Sequence, residues 1–175
     1  MNREGQAAID ALFEKLFGAY QRPIYNYLYR LLGDGGRAEE SAQDVFTRAY
    51  RSLGRLPEDA NHRAWLYRIA TNAAYDLLRR RRLIKWVPLM ERDLKPEGRA
   101  QNIADTLGTT DAVQRALGEI PPKYRAPLIL YTVQGYSVGE IGEMMAISQG
   151  AVKTRLYRAR EMFRKVYRGE IGDAL

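Results

Sequence analysis

Cysteine is absent and histidine occurs once, as His62. Disulfides and thiolate metal sites are thereby excluded, and one imidazole leaves little for a zinc site or a Ser-His triad. No apolar run approaches the roughly 20 residues that span a bilayer. The segment from Met1 to Asp10 is polar and lacks the apolar stretch of a secretion signal. A cytoplasmic location without membrane insertion is therefore expected. Strand-like alternation of apolar and polar residues is also missing, which points to an all-α fold. Acidic residues are the minority, 21 against 28 basic ones, so the 175-residue chain carries a net charge of +7. A chain of this length holds one ordinary domain or two small ones. Its basic balance suggests a polyanionic partner, nucleic acid first.

What is present divides into three blocks. Ile9, Leu12, Phe13, Leu16 and Phe17 share one helical face, and Ile24, Tyr27, Leu28, Leu31 and Leu32 share the face of a second helix. The run Gly33-Asp34-Gly35-Gly36 breaks the pattern. A third helix is predicted from Arg37 to Leu53, with Ala38, Ala42, Val45, Phe46, Ala49 and Tyr50 turned inward. A loop over residues 54–61 leads into a fourth helix from His62 to Leu83 that buries Trp65, Leu66, Ile69, Ala70 and Ala73. Residues 84–109 lose the period, are punctuated by Pro88, Pro96, Gly98 and Gly108, and carry no net charge. So long a stretch without clear elements reads as a flexible linker between a domain at 10–83 and another at 110–168. The two flanking blocks carry the positive charge.

The C-terminal block begins with a short helix through Val113, Leu117 and Ile120, ending before Pro121-Pro122, and a second that stops near Gly135. Ser137, with Glu140 three residues on, is a capping-box start for a third helix over Val138–Ala146. Ser148 caps a fourth, over Gln149–Tyr167. Ile141, Met145, Ile147, Val152 and Leu156 would lock the last two into a helix-turn-helix, whose second helix enters the major groove N-terminus first. Ser148, Gln149, Gly150, Lys153, Thr154 and Arg155 lead that helix, with Arg158 behind them. Gln can bond adenine, and Arg or Lys can bond guanine. An amphipathic helix with a solvated basic face would look similar; the capped helix and turn in front of this one favour DNA.

Several longer strings carry a family resemblance. GRAEESAQDVFTRAY at 36–50 resembles region 2.2 of the extracytoplasmic-function (ECF) sigma factors, and RAWLYRIATN at 63–72, with Asp76 and Arg79–Arg82, resembles their regions 2.3 and 2.4. IPPKYR at 120–125, EIGEMMAIS at 140–148 and AVKTRLYRAR at 151–160 resemble region 4. The order is right and nearly the whole chain is covered. The resemblance implies two helical domains, core RNA polymerase and promoter DNA as partners, an anti-sigma factor as a further partner class, no cofactor and no catalytic or metal site. It implies a polymerase-docking face at Gln43, Asp44, Thr47, Arg48 and Arg51. It also implies a minus-10 surface at Asn61, His62, Arg63, Asn72, Asp76, Arg79, Arg80, Arg81 and Arg82. There an unstacked base can be read, since Asn72 both donates and accepts and Asp76 lies one turn on. In the linker, Glu91, Asp93, Glu97 and Asp105 would stand in for RNA in the polymerase exit path.

Each of these residues also has a plainer use. Phe46 and Trp65 suit the core, Glu39 and Glu40 suit a helix N-terminus, and His62 suits a solvated helix start. Gly142 and Ala146 stand where the family more often has alanine and glycine, so a turn without a strongly left-handed residue is expected at Ala146. A stand-alone helix-turn-helix regulator would leave the N-terminal strings unexplained. A nucleic-acid enzyme would need convergent carboxylates, and Glu39-Glu40 and Glu58-Asp59 are merely adjacent in sequence.

Overall fold

The computed structural model describes the backbone of residues 3–84 and 107–172, and the side chains of 5–81 and 111–168. The linker expected over 84–109, with its four acidic residues, lies outside the described side chains. Among the described residues there are seven helices: α1 (Arg3–Leu32), α2 (Gly35–Leu53), α3 (His62–Ile84), α4 (Leu107–Glu119), α5 (Pro122–Thr132), α6 (Val138–Met145) and α7 (Gln149–Gly172).

The two helices expected before Gly33 are one. α1 runs for 30 residues with Pro23 inside it. Proline removes one intrahelical bond, yet the helix continues because Leu16 on one side and Ile24, Tyr27, Leu28 and Leu31 on the other lie on a single buried stripe. Gly33, at φ 74°, ends the helix, and Asp34 caps α2 by accepting from the Arg37 amide at 3.0 Å. Ala38, Val45, Phe46, Ala49 and Leu53 turn inward from α2. Tyr50, expected inside, is 42% exposed because it stands at the edge of that stripe. Leu66, Tyr67, Ala70, Ala73 and Ala74 bury one side of α3, while Trp65 and Ile69 are half-buried against the core. Thr71 donates to the Tyr67 carbonyl at 2.7 Å, so the buried Tyr27 hydroxyl is the donor to Thr71 Oγ1 at 2.8 Å.

The second half is built around α5, which is buried continuously from Tyr124 to Leu130. A helix with apolar residues all round needs neighbours on every side, and α5 has α1, α3, α6 and α7. The halves pack together through α3 on α6 and through α1 on α4 and α5. Arg125, only 6% exposed, donates to the carbonyls of Ile120, Gly118 and Leu31, the last at 2.7 Å, and so ties α5 to the C-terminus of α1. Gln114 adds a bond to the Arg30 carbonyl at 3.0 Å.

The capping box of α6 is formed as expected, with both the Ser137 and Glu140 arms in place. The turn after it corrects the sequence expectation, because Ala146 is left-handed at φ 54° and ψ 46°. The Ile147 amide reaches back to the Gly142 carbonyl at 3.0 Å, the pairing of a Schellman end. That fold-back carries the Ile147 carbonyl over Gly142, where a Cβ would stand 2.9 Å from its oxygen. Glycine therefore occupies the point of closest approach, and alanine takes the strained dihedral. Met144, not the expected Met145, is the fully buried methionine of the pair; Ile141, Val152 and Leu156 join it.

Ala146→Gly should raise the unfolding free energy by about 1 kcal/mol by relieving the left-handed alanine. Gly142→Ala should lower it, since a backbone carbonyl cannot yield as a side chain can. Urea midpoints of the two variants against the parent measure both.

Candidate nucleic-acid interface

Three surfaces receive the candidate residues. The first is the front of α7. Ser148 caps the helix, accepting from the Ala151 amide at 3.2 Å. Gln149, Gly150, Lys153, Thr154 and Arg158 are exposed along one side, while Arg155 is half-buried. Thr154 bonds the Gly150 carbonyl at 3.0 Å, and Arg158 reaches the Tyr124 hydroxyl at 3.1 Å. Arg158 is also the first cause of a lowered Tyr124 pKa. Tyr157 belongs to this surface and was not singled out from the sequence. It is 68% exposed, one turn beyond Lys153 and Thr154. Its helical phase was the available signal.

The second surface is the start and outer face of α3. Asn61 caps the helix by accepting from the Ala64 amide at 3.0 Å, a use its position before an apolar-periodic run would have suggested. Its amide nitrogen is spent on Glu143 Oε2 at 2.8 Å. Arg63 is ion-paired with Glu140 and lies over the Tyr136 ring at 5.2 Å. Arg68, also unremarked in the sequence, donates to the Glu143 carbonyl at 2.6 Å. His62 is half-buried at the helix start. Asn72 is exposed on the same helix, and Asp76 pairs with Arg79 at 2.8 Å. Arg80 and Arg81 are exposed; the side chain of Arg82 lies outside the described residues.

Arg79 and Arg81, with Lys123 from α5, rim a groove of about 680 Å³ floored by Leu32, Tyr75, Leu78, Pro121 and Pro122. Burial pushes the Tyr75 phenol up to about 12, against the opposing pull of the Arg155 and Arg125 charges. Arg155 thus stands near α3 as well as on the front of α7.

The third surface lies on α2. Gln43, Asp44, Thr47, Arg48 and Arg51 are all exposed. Asp44 pairs with Arg48 at 2.7 Å, and Thr47 bonds the Gln43 carbonyl. Phe46 is in the core as expected, yet its ring meets Phe13 and Phe17 edge-on, and with Tyr50 these rings form an aromatic concavity beside Gln43, Thr47 and Arg51. The sequence reading turned Phe46 and Tyr50 inward and put Phe13 and Phe17 on one apolar helical face, without joining the four into a concavity.

The description "Sigma-70 region 2" matches residues 16–84, and "Sigma-70, region 4" matches residues 110–163. The chain is 34% identical over 171 residues to the ECF RNA polymerase sigma factor SigW of Bacillus subtilis, covering 89% of each. It is 32% identical to the RNA polymerase sigma factor CarQ of Myxococcus xanthus, covering 95% of this chain and 94% of that one. The chain belongs to the ECF sigma factors. These are transcription-initiation factors and not enzymes. The ECF fold recurs in the sigma factor RpoE of Bartonella quintana, solved with the anti-sigma factor NepR, at a TM-score of 0.68 and 19% identity over 88% of this chain and 95% of that one. It recurs also in CnrH, solved with the cytosolic domain of CnrY, at 0.69 and 21% over 93% and 92%. Among the described residues of this sigma factor no helix is long and apolar enough to cross a membrane, and no group of His, Asp and Glu could hold a metal.

Tyr75 gives this ECF chain a signature at high pH. An unfolded tyrosine titrates near pH 10. The folded state holds the Tyr75 proton more tightly, so its contribution is complete below about pH 10 and is lost as pH rises toward about 12. Denaturant midpoints should fall across that window, and Tyr75→Phe should flatten the fall by on the order of 1–2 kcal/mol.

Proposed function

We propose that this sigma factor divides promoter recognition between its halves. The α7 front would read the minus-35 duplex through Gln149, Lys153, Thr154, Arg155 and Arg158, with Ser148 at the helix cap and small Gly150 and Ala151 letting the backbone come close. The α3 surface would take the opened minus-10 strand, with Asn72 at a base edge, Asn61, His62, Arg63 and Asp76 around it, and Arg79–Arg82 on phosphates. The exposed face of α2, at Gln43, Asp44, Thr47, Arg48 and Arg51, would dock on core RNA polymerase beside the aromatic concavity. The observation that carries this reading is the chemical contrast between the two DNA surfaces. A capped helix presents long cations and amides at its N-terminus, as a major groove requires. The other surface offers single polar groups on the flank of a helix, suited to one base at a time. The working division is 10–83 for polymerase binding and the minus-10 element, 84–109 for the linker and 110–168 for the minus-35 element.

An anti-sigma factor is the further partner, by analogy with the RpoE and CnrH complexes, and the cytoplasm is the place of action. A stand-alone regulator would need neither the α2 face nor an exposed Asn72.

Arg155→Ala should weaken binding at the minus-35 element by about 1–3 kcal/mol and relax sequence preference there. Asn72→Ala should leave that binding intact and impair strand opening. Filter binding and permanganate reactivity of exposed thymines separate the two steps; normal opening by Asn72→Ala would remove its role. Asp44→Arg should lower the affinity for core polymerase in a pull-down titration while helicity is kept, because it reverses the one charge of its sign among those five α2 residues.

A further inference from the structure

The groove of about 680 Å³ beneath Arg79, Arg81 and Lys123 has a floor and a rim of different chemistry. Leu32, at the end of α1, meets Tyr75 and Leu78 of α3 and the Pro121-Pro122 pair that starts α5. The polar groups of this floor are spent within the chain. The Tyr75 hydroxyl donates to the Pro122 carbonyl at 3.3 Å, and the Pro121 carbonyl accepts from the Tyr124 and Arg125 amides at 2.9 and 3.0 Å. The Gly118 carbonyl accepts from Arg125, and neither proline has an N–H to offer. The rim is cationic. Arg79, Arg81 and Lys123 are exposed, Arg125 lines the groove from the core side, and no carboxylate lines it. Two carboxylates act from outside: Asp76 pairs with Arg79 at 2.8 Å, and Glu119 acts on Arg125. Among the described residues, Arg81 and Lys123 have no ion-pair partner. Lys123 lies over the Tyr124 ring at 4.9 Å, a contact that leaves its charge in place.

We infer that this groove is a binding site for an amphipathic organic anion: an apolar aromatic body bearing a phosphate, held jointly by α3 and α5. The floor decides the body. With its donors and acceptors engaged, it has nothing to read an amide or a hydroxyl, and it rewards burial of apolar surface. The volume lies in the range of small-molecule pockets and exceeds what a bare phosphate would fill. The rim decides the head group. Arginine presents a planar fork that matches phosphate oxygens two at a time, and lysine adds a point charge. Arg79 is already engaged by Asp76, so Arg81 and Lys123 are the two cations left for a dianion. The guanidinium plane also stacks on aromatic rings, which favours a flat body over a flexible acyl chain that must lose rotamer freedom to lie there. Arg81 belongs to one half of the chain and Lys123 to the other, so neither half carries the site alone. Ligand binding therefore favours the arrangement in which both cations are at hand. The inference does not depend on any role of Arg79 or Arg81 toward DNA.

The test uses the full chain and 1-naphthyl phosphate, titrated by calorimetry at low salt. A Kd on the order of 0.1–1 mM is expected for a ligand of that size. Inorganic phosphate and 1-naphthol should each bind more weakly by at least about tenfold, because each meets only the rim or only the floor. Arg81→Ala and Lys123→Ala should each weaken 1-naphthyl phosphate by about three- to tenfold. Both side chains are exposed, so the fold is kept, which circular dichroism checks. As a control of equal charge, Arg164→Ala combined with Lys165→Ala removes two exposed cations of α7 and should leave the affinity unchanged. Saturating ligand should raise the urea midpoint of the parent but not that of the Arg81→Ala, Lys123→Ala double variant. No binding of 1-naphthyl phosphate overturns the site. Equal binding of inorganic phosphate reduces it to a bare cationic patch, and equal binding of 1-naphthol to an apolar surface; either overturns it. A loss confined to one of Arg81→Ala and Lys123→Ala overturns the joint site. An equal loss in the α7 control assigns the effect to net charge and overturns it as well.

Discussion

The arrangement depends first on Arg125. Its guanidinium is buried without a hydrogen-bonded carboxylate and is satisfied instead by the carbonyls of Gly118, Ile120 and Leu31. Gly118 and Leu31 lie at the C-terminal ends of α4 and α1, where helix dipoles concentrate negative charge and where the last carbonyls lack partners. One cation therefore serves two helix ends, and those ends need something of its kind. Burial lowers its pKa and Glu119 opposes that shift, but arginine keeps its proton in a protein. Because Arg125 sets the exit of α5, it also sets where α6 and α7 present their faces to α3.

The two ends of the contact between halves differ in kind. At the Arg125 end the acceptors are neutral carbonyls beneath apolar cover, and added salt has little to screen. At the Glu140 end the partners are full charges at the rim. Between them lies the aromatic series Tyr27, Tyr67 and Tyr136, in which each ring meets the next edge-on. The same sequence thus holds one joint that resists ionic conditions and another that responds to them.

Features that rest on near neighbours were legible in the sequence. The Ser137–Glu140 box, the stop at Gly33 and the caps of α6 and α7 each depend on residues within a turn of one another. The family strings at 36–50 and 151–160 made the overall assignment legible as well. The misses follow from tertiary choice. Pro23 and the polar residues before it look like a break, but the packed stripe on either side carries α1 through. Met144 and Met145 have equal claims until a core selects one. Ala146 has the wrong residue type for its dihedral, and only the carbonyl of Ile147 above Gly142 shows why the glycine sits elsewhere. Within the candidate site, the outward residues of α2 came from the family resemblance, and those of α7 from their place at the front of the second helix of the helix-turn-helix. The Arg63–Glu140 and Asn61–Glu143 pairs join residues 77 and 82 positions apart, and no local pattern announces them.

Twenty-two residues separate the end of α3 at Ile84 from the start of α4 at Leu107. Their length alone converts the meeting of the halves into an intramolecular event, with an effective concentration on the order of millimolar for a short connector. Contacts that would scarcely hold two separate proteins together are favoured more strongly when one chain carries both partners. The same connector limits the other extreme, since its fully extended span is about 75 Å at roughly 3.4 Å per residue. Connector length therefore acts on two limits at once: lengthening it dilutes one half in the presence of the other, while shortening it reduces the greatest distance the halves can stand apart.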